Sequence, residues 1–112
     1  MTERVFITGL AAVSCLGTTL AEIEAALREG RSGVVLDEAR RELGFRSALT
    51  GAINGFDPKA RLDRKARKSM HESAQWCAVS ALTAIEQAGI DPAALRNPRV
   101  GLIIGNDSTS GP

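Results

Sequence analysis

Two short apolar runs, each stopped by a glycine, bracket the sequence and leave few ways to fold it. In the first, Arg4 to Leu10, the consecutive residues Val5, Phe6 and Ile7 precede Thr8 and Gly9; in the second, Arg99 to Gly105, the chain reads RVGLIIG. A continuous apolar run of this length suits a strand buried on both faces and ended by a turn, as in a parallel sheet covered by helices. The intervening sequence carries the helices. Thr19 to Glu22 has the form of a capping box, Leu20, Ile23 and Leu27 recur at helical spacing, and Gly30 follows as a stop. This predicts a helix over about residues 20–29. Met70, Ala74, Cys77, Ala78, Ala81, Leu82 and Ile85 trace one face with a period near 3.6, predicting a single long helix from Arg64 to Ala88 that ends at Gly89. Asp91 and Pro92 read as a cap and first helical residue, for one extra turn over Pro92 to Leu95. Between Gly30 and Arg64 the pattern weakens, with scattered glycines, an Asp57-Pro58 turn signal and room for a short extended piece near Leu49 to Ile53. Strand, helix, long helix, strand implies an α/β layer with parallel strands and packed helices.

A length of 112 residues with 44% apolar side chains allows one small domain with a core. The formal charge of +1 argues against a wholesale basic surface, so nucleic acid is not an expected partner. Cys15 and Cys77 are far apart in sequence and suggest no disulfide framework, which favours a reducing compartment. The start, Met1 to Arg4, lacks a signal-peptide run, and no stretch approaches the roughly 20 apolar residues that span a bilayer. A cytosolic location without membrane contact is expected.

Three stretches invite a functional reading. From Gly9, the dinucleotide fingerprint would need glycines where Ala11 and Ser14 stand, and the phosphate loop would need a lysine where Thr18 follows Gly17. Neither motif is present, and no cofactor is expected. Cys15 lies ahead of a helix start, where the backbone dipole could activate a thiol, but a nucleophile needs a base and the sole histidine is His71 in the long helix. Cys15 is read as a small apolar filler, and two cysteines with one histidine give no metal-ligand spacing. The third stretch is KARLDRKARK, Lys59 to Lys68. It carries six basic residues and only Asp63 as an acid, so it holds +5 and the remainder of the chain −4. Much of this charge would fall at the start of the long helix, where the macrodipole disfavours cations by a few tenths of a kcal/mol each. Charge placed against the dipole points to an anionic partner, with Arg64 and Lys68 on one stripe, or else to a solvated helix end.

Five stretches together resemble one family: VFITGLAAVSCLG, LREGRSG (Leu27 to Gly33), LDRKARKSM (Leu62 to Met70), AIEQAGI (Ala84 to Ile90) and NPRVGLIIG (Asn97 to Gly105). Their order and spacing are similar to the N-terminus of β-ketoacyl-acyl-carrier-protein synthases, most of all the elongating enzymes of dissociated fatty acid synthesis. The resemblance covers essentially the whole chain. It implies part of a thiolase-like fold, the opening segment of its N-terminal half, in a homodimeric enzyme that condenses acyl groups with malonyl carrier protein. It also implies that the catalytic cysteine and two catalytic histidines lie beyond residues 1–112, so that this segment is incomplete as a domain and inactive alone. Arg64, Lys65 and Lys68 match positions where related synthases dock the acidic acyl carrier protein. The sequence departs from the family pattern at Ala11, where another glycine is usual, at Cys15, which replaces a small hydroxyl residue, and at Asn106 and Asp107, which replace a glycine-rich turn. Two further readings stay open: a polyketide ketosynthase or its silent chain-length partner, and a noncatalytic binder of carrier protein.

Overall fold

The computed structural model describes residues 2–106. Asp107, one of the departures noted above, and Ser110 to Pro112 lie outside the described residues. The chain divides into two compact units, one formed by residues 11–57 and the other by residues 1–10 together with 58–112.

The 11–57 unit is built from local signals. Ser14 and Gly17 close a tight turn through two reciprocal backbone bonds of 2.9 and 3.2 Å. Helix α1, Leu20–Arg28, starts at the capping box expected for it: Glu22 N–H donates to Thr19 Oγ1, and Glu22 Oε2 accepts from Thr19 N–H at 3.1 Å. It ends in a Schellman motif, with Gly30 N–H bonding to Leu27 O and Arg31 N–H to Ala26 O while Gly30 takes φ +65°. Strand β1, Val34–Leu36, then pairs antiparallel with β2, Leu49–Gly51, in the register Val34 to Gly51, Val35 to Thr50 and Leu36 to Leu49. The connection is a short helix α2, Glu38–Glu42, capped by Asp37, whose carboxylate accepts from Arg40 N–H at 3.2 Å. The extended piece expected near Leu49 is therefore real, and its partner is the Val34–Leu36 stretch.

The other unit centres on one helix. A 3-10 turn at Pro58–Ala60 leads into α3, Arg64–Ser69, capped by Asp63, and α4 follows over Glu72–Gln87. The expected single helix from Arg64 to Ala88 is thus two helices. Met70 (φ −113°, ψ 130°) and His71 (φ −63°, ψ 160°) are extended and interrupt the helical hydrogen-bond series. α4 ends at Gly89 in a second Schellman motif, and Pro92–Arg96 forms a 3-10 turn where an extra turn was expected. Gly9 lies so close to the Ala84 carbonyl and the Ala88 methyl that no side chain fits, and Leu10 N–H donates to Gln87 Oε1 at 2.6 Å.

The parallel strands expected at 4–10 and 99–105 are not formed among the described residues. Neither stretch has a ladder partner, and Arg99 belongs to a turn closed by Val100 N–H to Asn97 O at 2.9 Å. A strand exists only through its neighbour's backbone, so an apolar run without one stays outside a sheet. Val5 is 94% exposed and Ile103 97%. Among the described residues only Ala26 and Leu62 are buried apolar side chains. The chain exposes 9429 Å², whereas a folded monomer of its mass is expected to expose roughly 5,900 Å², and two separate units of half that mass roughly 7,100 Å² together. Much apolar surface is therefore left without a covering layer.

Candidate functional site

The basic stretch is sorted by its folded surroundings. Arg61 reaches Glu86 of α4 at 2.8 Å, and Arg67 turns inward, its Nε donating to Leu62 O at 3.1 Å. Lys59 also has a partner. Arg64, Lys65 and Lys68 are exposed and form no side-chain hydrogen bond or ion pair among the described residues. At 3.6 residues per turn these three fall within an arc of about 100° on α3. The six cations thus separate into three held in place and three presented together.

The helix break revises the dipole argument. Arg67 and Lys68 lie in the last turn of α3, where cations are favoured, so only Arg64 and Lys65 stand at a helix start. The first turn of α4 carries Glu72, with no cation there. The clustering of Arg64, Lys65 and Lys68 on one exposed face replaces unfavourable dipole placement as the feature that marks the site.

The other candidates separate from it. Cys15 sits inside the Ser14–Gly17 turn, four residues before the Thr19 cap, and so outside the helical turn in which a dipole acts. Its sulfur occupies the space that side chains at Gly33 and Gly51 would take, with a Cβ at Gly33 coming within 2.8 Å of it. The shallow depression beside it is lined by Leu16, Gly17, Glu22, Ala25, Arg31 and Asn54, with no imidazole or amine to act as base. Glu22 in that depression has its carboxyl held below the usual glutamate value by the Thr18 N–H first and the Thr19 N–H second. Cys77 is a free thiol on α4, and His71 caps α4 without a side-chain capping bond. Among the described residues no group of three or more His, Cys, Asp or Glu is arranged to hold a metal, and no helix is long and apolar enough to cross a membrane.

An apolar groove of about 730 Å³ runs along α4, between Met70, Ala74, Cys77 and Ala81 on one side and Leu102 to Ile104 on the other. The periodic face recognised in the sequence therefore faces an apolar run across this groove, although that run is not a strand and stays exposed. Sequence reasoning counted Arg67 only as one charge of the basic stretch, and missed Gln75. The Gln75 side chain donates from Nε2 to Arg67 O at 3.3 Å and to Met70 O at 3.1 Å. Only the helix break creates those acceptors, so no signal in the local sequence could have found them.

Residues 2–111 match the model of the β-ketoacyl synthase N-terminal domain. The chain belongs to the β-ketoacyl synthase family. It is 38% identical over 109 residues to 3-oxoacyl-[acyl-carrier-protein] synthase 1 of Escherichia coli strain K12, covering 96% of this chain and 27% of that protein. It is 34% identical over 103 residues to the synthase 1 of Haemophilus influenzae, covering 92% of this chain and 25% of that one. A crystal structure of a β-ketoacyl synthase from Burkholderia phymatum superposes with a TM-score of 0.67 at 32% identity, over 81% of this chain and 22% of that chain. The fold is that of a part of a β-ketoacyl synthase, in agreement with a thiolase-like architecture. The chain spans about a quarter of the length of the curated relatives it matches.

Proposed function

We propose that this chain is the opening scaffold of a β-ketoacyl-acyl-carrier-protein synthase and that its contribution to condensation is carrier-protein docking. The observation that carries the docking reading is the exposed face of Arg64, Lys65 and Lys68, whose charges have no partner among the described residues while Arg61 and Arg67 are engaged internally. The relatives act with an acyl carrier protein by their names, and an acidic carrier is the partner such a face would attract.

In this reading the catalytic cysteine and histidines belong to parts of the synthase outside residues 1–112, since His71 is the single histidine of the sequence. The chain would form an incomplete portion of the N-terminal domain. Residues 4–10 and 99–105 would enter a parallel sheet completed by further strands, in a homodimeric cytoplasmic enzyme. The lack of a ladder partner for these two apolar runs among the described residues, and the uncovered groove along α4, support that arrangement. Exposed charges at such a site would mainly accelerate encounter and orient the carrier, and their effect would fade with salt as the Debye length falls below about 10 Å.

The test is charge reversal in a full-length synthase carrying this segment. Lys65→Glu combined with Lys68→Glu is expected to raise KM for the acyl carrier protein substrate about tenfold at low ionic strength, with a smaller effect in 0.5 M salt. An unchanged KM at low salt would remove the docking assignment.

A further inference from the structure

A helix of six residues does not hold its own direction, because nucleation is unfavourable and few intrahelical bonds follow it. The orientation of α3 therefore depends on its anchors. At its start, Asp63 Oδ1 accepts from Ala66 N–H at 2.8 Å, and Arg67 Nε donates back to Leu62 O at 3.1 Å. At its end the chain breaks: the Arg67 carbonyl keeps one long backbone bond, from Met70 N–H at 3.4 Å, and the Met70 carbonyl accepts from no backbone N–H among the described residues. Gln75, half-buried in the first turns of α4, bonds both carbonyls from one amide nitrogen, adding a second donor to Arg67 O at 3.3 Å and supplying the missing one to Met70 O at 3.1 Å. The two clamped carbonyls flank Lys68 in the sequence, and the Arg67 anchor lies between Lys65 and Lys68.

The geometry points to Gln75 as a positioning residue that fixes the α3 cations relative to α4, with Arg67 as the second anchor. This inference rests on the docking reading above. Attraction to an acidic partner needs charge alone, but a productive complex also needs the charges in one arrangement. A helix held in that arrangement before encounter loses less conformational freedom on binding. A loosened α3 would keep its full charge and bind less tightly. Gln75 acts here only through Arg64, Lys65 and Lys68.

The test uses the full-length synthase carrying this segment, with kinetics on carrier-protein-linked substrate and on a carrier-free acyl thioester. Gln75→Met keeps the side-chain length and removes both donors; Arg67→Lys keeps the charge and removes the guanidinium donor that reaches Leu62. Each is expected to raise KM for the carrier-linked substrate about two- to tenfold, as for loss of one or two hydrogen bonds. The salt dependence should stay as in the parent and KM for the carrier-free thioester should not move. If Gln75→Met leaves the carrier KM unchanged while Lys68→Glu raises it, the positioning role is overturned and docking stands. If neither variant raises it, both readings fall. An equal rise for the two substrates would mean a general folding defect and would also overturn the proposal. Should Gln75→Met not fold, Arg67→Lys decides by the same criteria.

Discussion

Glu22 shows how one side chain can fix a helix start and make it depend on pH. Its carboxylate accepts from Thr18 N–H at 2.8 Å and from Thr19 N–H at 3.1 Å, two donors that α1 leaves without helical partners. These bonds favour the anion and lower its pKa below the ordinary glutamate value. A carboxyl with a depressed folded pKa contributes stability that is present above its unfolded pKa and is lost as pH falls through the folded one. Glu22→Gln is therefore expected to be less stable than the unsubstituted protein at pH 7, with the difference closing in acid. Denaturant midpoints at pH 7 and below pH 4 check this, and a difference that persists in acid would contradict it. Cys15 gives a second expectation at this scale. A methyl group at Gly33 would collide with the Cys15 backbone and sulfur, so Gly33→Ala should cost about 1–3 kcal/mol, as other overpacking does. Cys15→Ser in the Gly33→Ala background should not restore stability, because the backbone of residue 15 is also in the way. The capping box could be read from four letters because all its partners lie within four residues. The difference between Arg67 and Lys68 could not, because it depends on what the Leu62 carbonyl faces after folding.

Helices and strands divide sharply in how well the sequence specifies them. α1 was legible from Thr19 to Gly30, and α4 from its apolar period and Gly89, because helical hydrogen bonds close within the segment. The third glycine stop, Gly44 after α2, works in the same way: Gly44 N–H bonds to Arg41 O and Phe45 N–H to Arg40 O. The break at Met70 and His71 was hidden because the apolar period runs straight through it, with Met70 in phase with Ala74 and Ala78. Strand pairing was the least legible, since Val34–Leu36 finds Leu49–Gly51 across an intervening helix, and the more apolar runs at 4–10 and 99–105 find no partner among the described residues. The Schellman ends give a clean prediction. Gly89 takes φ +66°, and nothing lies within 4 Å of where its Cβ would be, so Gly89→Ala tests backbone conformation alone. It should destabilise by about 1 kcal/mol, the cost of a left-handed L-residue, visible as a lower denaturant midpoint with an unchanged slope. A neutral result would mean that α4 does not end in a left-handed residue at position 89.

At the scale of the whole molecule, surface area decides between a scaffold segment and a self-sufficient protein. The chain exposes 9429 Å², roughly 2,300 Å² more than even two separate folded units of half its mass. The uncovered residues include Val5, Phe6, Ile7, Leu102, Ile103 and Ile104, the two runs that the sequence marks most strongly for burial. If further layers covered about 1,000 Å² of apolar surface in this excess, the gross gain at about 25 cal/mol per Å² would be about 25 kcal/mol before entropy is subtracted. Net stability is only about 5–15 kcal/mol, so a chain that lacks a term of this size has little left to offset its ordering entropy. Residues 1–112 expressed alone are therefore expected to melt without a sharp transition and to bind an apolar dye, while helicity from α1 and α4 persists. A full-length synthase carrying this segment should melt cooperatively and leave the dye unbound. Differential scanning calorimetry and dye fluorescence on the two proteins, at one concentration and buffer, make the comparison. A cooperative transition in the short chain, with no dye binding, would mean that it covers its own apolar runs. In that case a free-standing carrier-protein binder would explain the exposed cations better than a scaffold.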